Sequence, residues 1–473
     1  MTQVHLILDE HSVAESRGVT FHLNPATKHP ENPVLLPGEP HEWDSLQVSW
    51  PGTVLYSPRD RKFGCWYLGL DVVQTPERFW KCGYAESDDG VHWTKPKLKH
   101  ATFLDRPTNM ILPGWPRPSD PRLPWWSPHF LNLVFENPDP NAPPEQRFGS
   151  YWSNGLIGAD GKFTERRVLA WSPDGIEWHE GGTAYQIHPY DRFRWHDINQ
   201  VLHDPDDPDP EFRVKAYSQY FRARAYDGRE KVRHIGMLHG RGVEHVESLP
   251  DPVIFGPEPG IDEEIHYASV KKIGAQYLML FESDRFNRSQ PHGDLRLAVS
   301  ATGRPFRRIH PHTPLVATGA KGMWDENLIV TSNGGIQEVG DEFYLFYFGC
   351  PGTYRAWPAQ YEVMKGRGGF MFAPVSLGLA TLPRDRFAHA TGDGSLTTHP
   401  LELTAEGVWL NADGDPQVAA FVEPGKLTAR GKLTNRRLQG VYRKVGWAGL
   451  APMGKNRLEI MLTSQDNLFS IAC

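Results

Sequence analysis

Tyr84–Trp93 reads YAESDDGVHW, Leu169–Trp178 reads LAWSPDGIEW and Leu297–Phe306 reads LAVSATGRPF. Each joins a short apolar strand to a turn. In the first two the turn is Ser-x-Asp-Gly, in which the Asp side chain accepts local backbone N–H groups and Gly supplies a positive φ. The Trp that follows packs back across the hairpin. Ser376–Phe387 (SLGLATLPRDRF) is a looser relative. A hairpin repeated along one chain marks a β-unit used several times.

Acidic residues followed by alternating segments stand ahead of these hairpins. They are DSLQVSW from Asp44, DINQVLH from Asp197, EIHYASV from Glu264 and ENLIVTS from Glu326, with DRPTNMI from Asp105 as a weaker copy. Five starts spaced by roughly 60–90 residues suit four-stranded blades with generous loops, and the longest interval holds a Pro-rich insert, Pro113–Pro144. Between starts and hairpins run FGCWYLGL, FRVKAYSQY, AQYLMLFES and EFYLFYFG. Helical periodicity is scarce, whereas β-branched and aromatic runs bounded by Gly, Pro, Asp and Asn recur throughout. The chain reads as all-β: a five-bladed β-propeller over 30–385, an arm or closing strand at 1–29, and a C-terminal β-sandwich over 386–473. In that last part LTTHPLEL, GVWLNADG and QVAAFVE alternate without acidic starts.

Composition narrows the function. The 473 residues include 45 Gly and 41 Pro, too many turn formers for a fibre or a helical bundle. With 57 acidic against 50 basic side chains the net charge is -7, so nucleic acid and anionic membrane are not expected partners. No apolar run reaches the roughly 18 residues of a membrane span, and the N-terminal stretch lacks the basic and apolar regions of a secretory signal. A cytoplasmic protein is expected. Cys65, Cys82, Cys350 and Cys473 show no C-x-x-C spacing, which disfavours zinc and a disulfide framework. Gly-Arg-Gly-Gly at 366–369 lacks the Lys-Ser/Thr of a phosphate loop, and HDPDDPDPE at 203–211 lacks the Gly and terminal Glu of a calcium loop. No cofactor and no metal are expected. The 16 Trp are compatible with platforms on which sugar rings stack, although a large β-protein also buries many aromatics.

The acidic starts carry the chemistry. In a propeller the innermost strand of each blade lines the channel, so residues at its start converge on one volume. Carboxylates gathered there repel one another, no core needs them, and their pKa values are pushed apart.

In these features the chain resembles the five-bladed propeller glycosidases of glycoside hydrolase families 32, 43 and 68, the furanosidase-like superfamily. There an Asp in the first blade, an Asp in a middle blade and a Glu in the next blade do the work. The matching residues are Asp44 in EWDSLQVSW, Asp197 in RWHDINQVL and Glu264 in IDEEIHYASV. The chain lacks the W-x-N-D-P-N-G, R-D-P and E-C motifs of the fructosidases, so no single family is assigned. The resemblance implies an exo-acting glycoside hydrolase on a fructofuranoside, an arabinofuranoside or a short oligosaccharide. Cleavage needs a proton on the leaving oxygen and a carboxylate across an oxocarbenium-like transition state. Glu264 is expected as general acid, Asp44 as nucleophile or base, and Asp197 as transition-state stabiliser.

Glu263 competes with Glu264, and strand alternation turns it away. Trp43, Trp195, His196, His266, Trp324 and Glu326 are expected to line the substrate site, with Asp325 read either as a sugar-binding carboxylate or as part of a capping turn. Trp125 and Trp126 in the insert form a rim platform or pin the loop. Arg192 and Arg194 orient Asp197 or bind an anionic group, which with His196 keeps a glycoside phosphorylase open as the second reading. A non-catalytic carbohydrate-binding propeller is the third. A homo-oligomer is left open.

Overall fold

The computed structural model describes residues 3–71, 81–112, 133–157, 163–183, 185–186, 195–222, 232–285, 292–352, 373–423, 426–438 and 440–473. Among them the regular elements are β-strands and three single-turn 3-10 helices, so the chain is all-β. Among the described residues no helix is long and apolar enough to cross a membrane. All four cysteines are buried and none is in a disulfide.

Antiparallel pairing divides most of the chain into five successive up-and-down units. The first is built on Gln47–Ser57, Lys62–Leu70, Lys81–Ser87 and Met110–Leu112. The second uses Phe135–Glu136, Phe148–Ile157, Phe163–Ser172 and His179–Thr183. The third uses Trp195–His203, Val214–Arg222, Val232–Gly242 and His245–Phe255. The fourth runs through Glu263–Glu264 and Ala268–Ile273, then Gln276–Arg285, His292–Ser300 and Arg307–Arg308. The fifth takes Leu328–Val339, Glu342–Cys350 and Ser376–Pro383, and its outer strand is Thr27–Lys28 from the start of the chain.

The second strand of each unit explains why the apolar runs look continuous. Lys62–Leu70 is buried at every position after its first, and Glu342–Cys350 at nearly every one. A sheet covered on both faces needs apolar side chains at odd and even positions alike. The faces are covered by neighbouring units. Trp66 and Leu68 of the first unit share a core with Val134, Phe148 and Ala170 of the second. Second meets third through Tyr151, Leu169 and Trp171 against Ile198, Val214 and Leu238. Third meets fourth through Tyr217 and Met237 against Met279 and Phe281, and fourth meets fifth through Leu280 and Leu295 against Ile329 and Leu345. The fifth returns to the first through Phe346 and Phe348 against Val48 and Phe63.

The Ser-x-Asp-Gly turns are built as their sequence dictates. Ser87 Oγ accepts the Gly90 N–H at 2.9 Å, Asp89 Oδ1 accepts from Val91 and His92 N–H at 2.8 Å each, and Trp93 Nε1 donates to Gly90 O at 3.0 Å. Ser172, Asp174, Gly175 and Trp178 repeat these bonds in the second unit. Gly90 and Gly175 have φ of 80° and 78°, which residues with a Cβ rarely adopt. Trp66 of the first unit also donates to Gly175 O at 2.7 Å, so the turn helps fix the next unit in place.

Two expectations about organisation change. Asp105 is no unit start: it sits in the tight turn between Leu98–Phe103 and Arg106–Thr108, at φ 61°. The opening strand of the second unit lies further on, at Phe135–Glu136. Residues 4–23 also do more than close the fifth unit. Val4–Leu6, Glu15–Arg17 and Thr20–Leu23 pair with Asn467–Ala472, Gly394–Thr397 and Ala388–Thr391, completing the twelve-stranded C-terminal sheet.

Candidate active site

Asp44 and Asp325 occupy twin environments. Trp43 stacks on Tyr67 at 5.6 Å, the Tyr67 hydroxyl donates to Asp44 Oδ2 at 2.7 Å, and Lys95 Nζ lies 2.6 Å from the same oxygen and 5.8 Å over the tyrosine ring. Trp324 stacks on Tyr347 at 5.8 Å, Tyr347 donates to Asp325 Oδ2 at 3.2 Å, and Lys28 Nζ lies 2.5 Å from that oxygen and 5.6 Å over the ring. Glycines make room for both indoles, Gly69 and Gly83 beneath Trp43 and Gly349 and Gly378 beneath Trp324. Each cation comes from beyond the third strand of its unit, so the arrangement ties the start of the inner strand to the unit's outer part.

These contacts place four of the residues expected from sequence. Asp44, expected as nucleophile or base, is 1% exposed and is engaged by a hydroxyl and an ammonium, which tie it into the first unit. Trp43 is also 1% exposed, and its Nε1 donates to Asn109 Oδ1 at 2.8 Å; with its faces packed it offers no sugar platform. Trp324 is the partly buried wedge of the matching clamp, and Glu326 Oε2 accepts the Gly322 N–H within its own turn. The fourth unit has a related tie. Glu263, fully buried, accepts from Arg308 Nη2 at 2.7 Å, from Glu258 N–H at 2.9 Å and from Ser283 Oγ. Burial pushes its carboxyl up, but Arg308, Ser283 and the backbone N–H outweigh that and hold it below the usual range. Glu263 is therefore structural and turned away from Glu264.

Glu264 faces a different set of groups. Its Oε2 accepts from Arg233 Nη1 at 2.9 Å and lies 3.1 Å from His266 Nε2. Burial raises the carboxyl, yet the His266 and Arg233 contacts prevail and bring it down to about 2. In this state the Glu264 carboxyl is ionised, whereas the general acid expected there carries a proton. Its side chain remains 12% exposed, more than Asp44 at 1% or Glu263 at 0%.

Behind Glu264 lie two carboxyls that sequence reasoning passed over. His266 Nε2 is 3.8 Å from Asp284 Oδ2, and Glu264 pairs with Asp284 across the strands. Glu282 and Asp284 are 0% and 1% exposed, and none of their four oxygens has a hydrogen-bond partner among the described residues. Burial, then the charge of Asp284, drives Glu282 well above the carboxylate range; burial, then the charge of Glu264, does the same to Asp284. The signal was present in QYLMLFESDR, since alternation puts Glu282 and Asp284 on the same side as Leu278 and Leu280. His266, Glu282 and Asp284 offer ligand atoms within 4.8 Å of one another and are the residues that could hold a metal.

Trp195, His196 and Asp197 lie on the strand Trp195–His203, but their side chains fall outside the described residues, as do Arg192, Arg194, Trp125 and Trp126. That strand runs beside the inner strand of the fourth unit: Asn199 Nδ2 donates to His266 O at 3.2 Å and Gln200 Nε2 to Val270 O at 2.6 Å. Asp197 and Glu264 thus stand two residues before a contacting pair.

No protein-family model matches the sequence, and no curated protein matches it. Solved structures do. A glycoside hydrolase matches with a TM-score of 0.50 at 14% identity, over 77% of this chain and 94% of its own. A glycosyl hydrolase from Bacteroides ovatus matches at 0.48 and 14%, over 77% and 95%. A structure from the GH130 family of mannoside phosphorylases, which contains glycoside hydrolases that target β-1,2 mannosidic linkages, matches at 0.45 and 14%, over 76% and 94%. At such identity the likeness is one of architecture: this chain shares the propeller-type fold of glycoside hydrolases.

Proposed function

We propose that the protein is a glycoside hydrolase whose five units are the blades of a β-propeller, with a C-terminal sandwich beside it, and whose substrate meets Glu264 at the end of the channel. The observation that carries the reading is the contrast among the acids. Asp44 and Glu263 are spent on internal ties, while Glu264 is partly exposed, ionised and backed by His266 and two further carboxyls. Glu264 then acts as the carboxylate that activates water, attacks the anomeric carbon or stabilises an oxocarbenium-like transition state. Asp197, on the neighbouring strand, is its partner in proton transfer. Substrates are short glycosides, furanosides among them, processed from one end inside the cell.

A glycoside phosphorylase is the second reading, favoured by the Arg233 guanidinium 2.9 Å from Glu264, where phosphate would need a cation. One experiment addresses both. Aryl pyranosides, aryl furanosides and natural disaccharides are assayed with and without phosphate, using the unaltered protein and Glu264→Gln. The proposal expects phosphate-independent turnover that Glu264→Gln lowers by about 10²–10⁴-fold with the melting curve retained. Turnover that needs phosphate selects the phosphorylase, and a fully active Glu264→Gln removes Glu264 from the mechanism.

A further inference from the structure

We infer that His266, Glu282 and Asp284 form a binding site for one divalent transition-metal ion, set behind Glu264 in the fourth unit. Three observations converge. The first is geometric: ligand atoms from all three residues lie within 4.8 Å of one another. Metal bonds of roughly 2.0–2.6 Å let a single ion touch donors separated by up to about twice that length.

The second concerns what the two carboxyls lack. Glu282 and Asp284 are buried as deeply as the core leucines around them, yet their four oxygens have no hydrogen-bond partner among the described residues. Buried carboxyls elsewhere in this protein are satisfied by other side chains, as Asp44 is by Tyr67 and Lys95 and Glu263 by Arg308 and Ser283. Two neighbouring carboxyls without a hydrogen-bond partner among the described residues, one of them 3.8 Å from a histidine nitrogen, make the donor set of a cation, and one ion of charge +2 balances them when ionised.

The third comes from comparing units. The pairs Gln47↔Leu70, Leu328↔Cys350 and Glu264↔Asp284 occupy one register, with Tyr67, Tyr347 and Phe281 each three residues earlier and under a cation. In that register Glu282 and Asp284 stand where the first unit has Leu68 and Leu70 and the fifth has Phe348 and Cys350. Apolar residues fill these places where only packing is needed. One imidazole and two carboxylates suit Mn²⁺ or Zn²⁺ better than the all-oxygen cages preferred by Ca²⁺ and Mg²⁺.

The test reads metal content, not turnover, so its failure is distinguishable from failure of the proposed activity. The full chain is stripped with a chelator, incubated separately with Mn²⁺, Zn²⁺ and Ca²⁺, passed through a desalting column and analysed for metal. One equivalent of Mn²⁺ or Zn²⁺ per chain is expected, lost in Glu282→Gln and in Asp284→Asn and retained in Asp44→Asn. Because the variants alter a buried site, the unaltered protein loaded with Mn²⁺ is also examined by pulsed electron paramagnetic resonance for a coupled imidazole nitrogen. No retained ion, retention of Ca²⁺ alone, an undiminished equivalent in both variants at the site, or a Mn²⁺ signal without nitrogen coupling would each overturn the assignment.

Discussion

In the first and fifth units Asp44 and Asp325 each accept a tyrosine hydroxyl and lie within 2.6 Å of a lysine ammonium. In the fourth, Glu282 and Asp284 are equally buried and have no hydrogen-bond partner among the described residues. The same strand order and register support both arrangements. Folding needs the first kind, in which a buried charge is matched by another drawn from the outer part of the same unit. The second kind works against folding unless something outside the chain compensates it, and that makes it the better marker of function.

This contrast can be broken at several points. The largest effect is expected from Asp44→Ala and Asp325→Ala, each of which takes the carboxylate away from a lysine and a tyrosine hydroxyl. Urea denaturation should show both losing about 3–5 kcal/mol, towards the lower end because Lys95 and Lys28 remain 21% and 29% exposed. A loss at Asp325 with none at Asp44 would end the twin interpretation and return Asp44 to the candidates for catalysis. Next in size, and opposite in sign, is Glu282→Leu, which installs the residue type the first unit carries there. In chelator it should gain about 1–4 kcal/mol; a loss would mean that the carboxyl holds the unit together in a way its geometry does not show. Smallest is Tyr67→Phe against Tyr347→Phe, each removing one hydroxyl from a buried carboxylate, for about 1–3 kcal/mol apiece. With bonds of 2.7 and 3.2 Å, the first should lose more.

Local features of the chain were readable from its residues. Ser87-Asp88-Asp89-Gly90 and Ser172-Pro173-Asp174-Gly175 encode their turns through bonds spanning no more than three residues, and nothing distant needs to be known. The acidic start at Asp44 was recognised in the repeat but its ties were not, because the partner that satisfies it is remote: Lys95 lies 51 positions from Asp44, as Lys28 lies 297 from Asp325. An acid looks uncompensated along a sequence whenever its cation arrives from another strand. Glu282 and Asp284 were missed for the converse reason. Charged residues near the end of a strand read as its solvent-facing tip, and only the packing of the fifth unit against the fourth shows that this end is inside.

The outer strand of the fifth unit has a consequence for biosynthesis. Thr27–Lys28 leaves the ribosome early and finds its place late, since Ala380 and Thr381 are its partners, and the nearby bond from Asn32 to Leu379 spans 347 positions. Until then the Ser376–Pro383 edge has no strand to pair with and Asp325 has no lysine. Val4–Leu6 waits longer still for Asn467–Ala472. Thr27–Lys28 therefore stays unpaired while the intervening chain is made, a period in which edge-to-edge association between neighbouring chains competes with its pairing to Ala380 and Thr381.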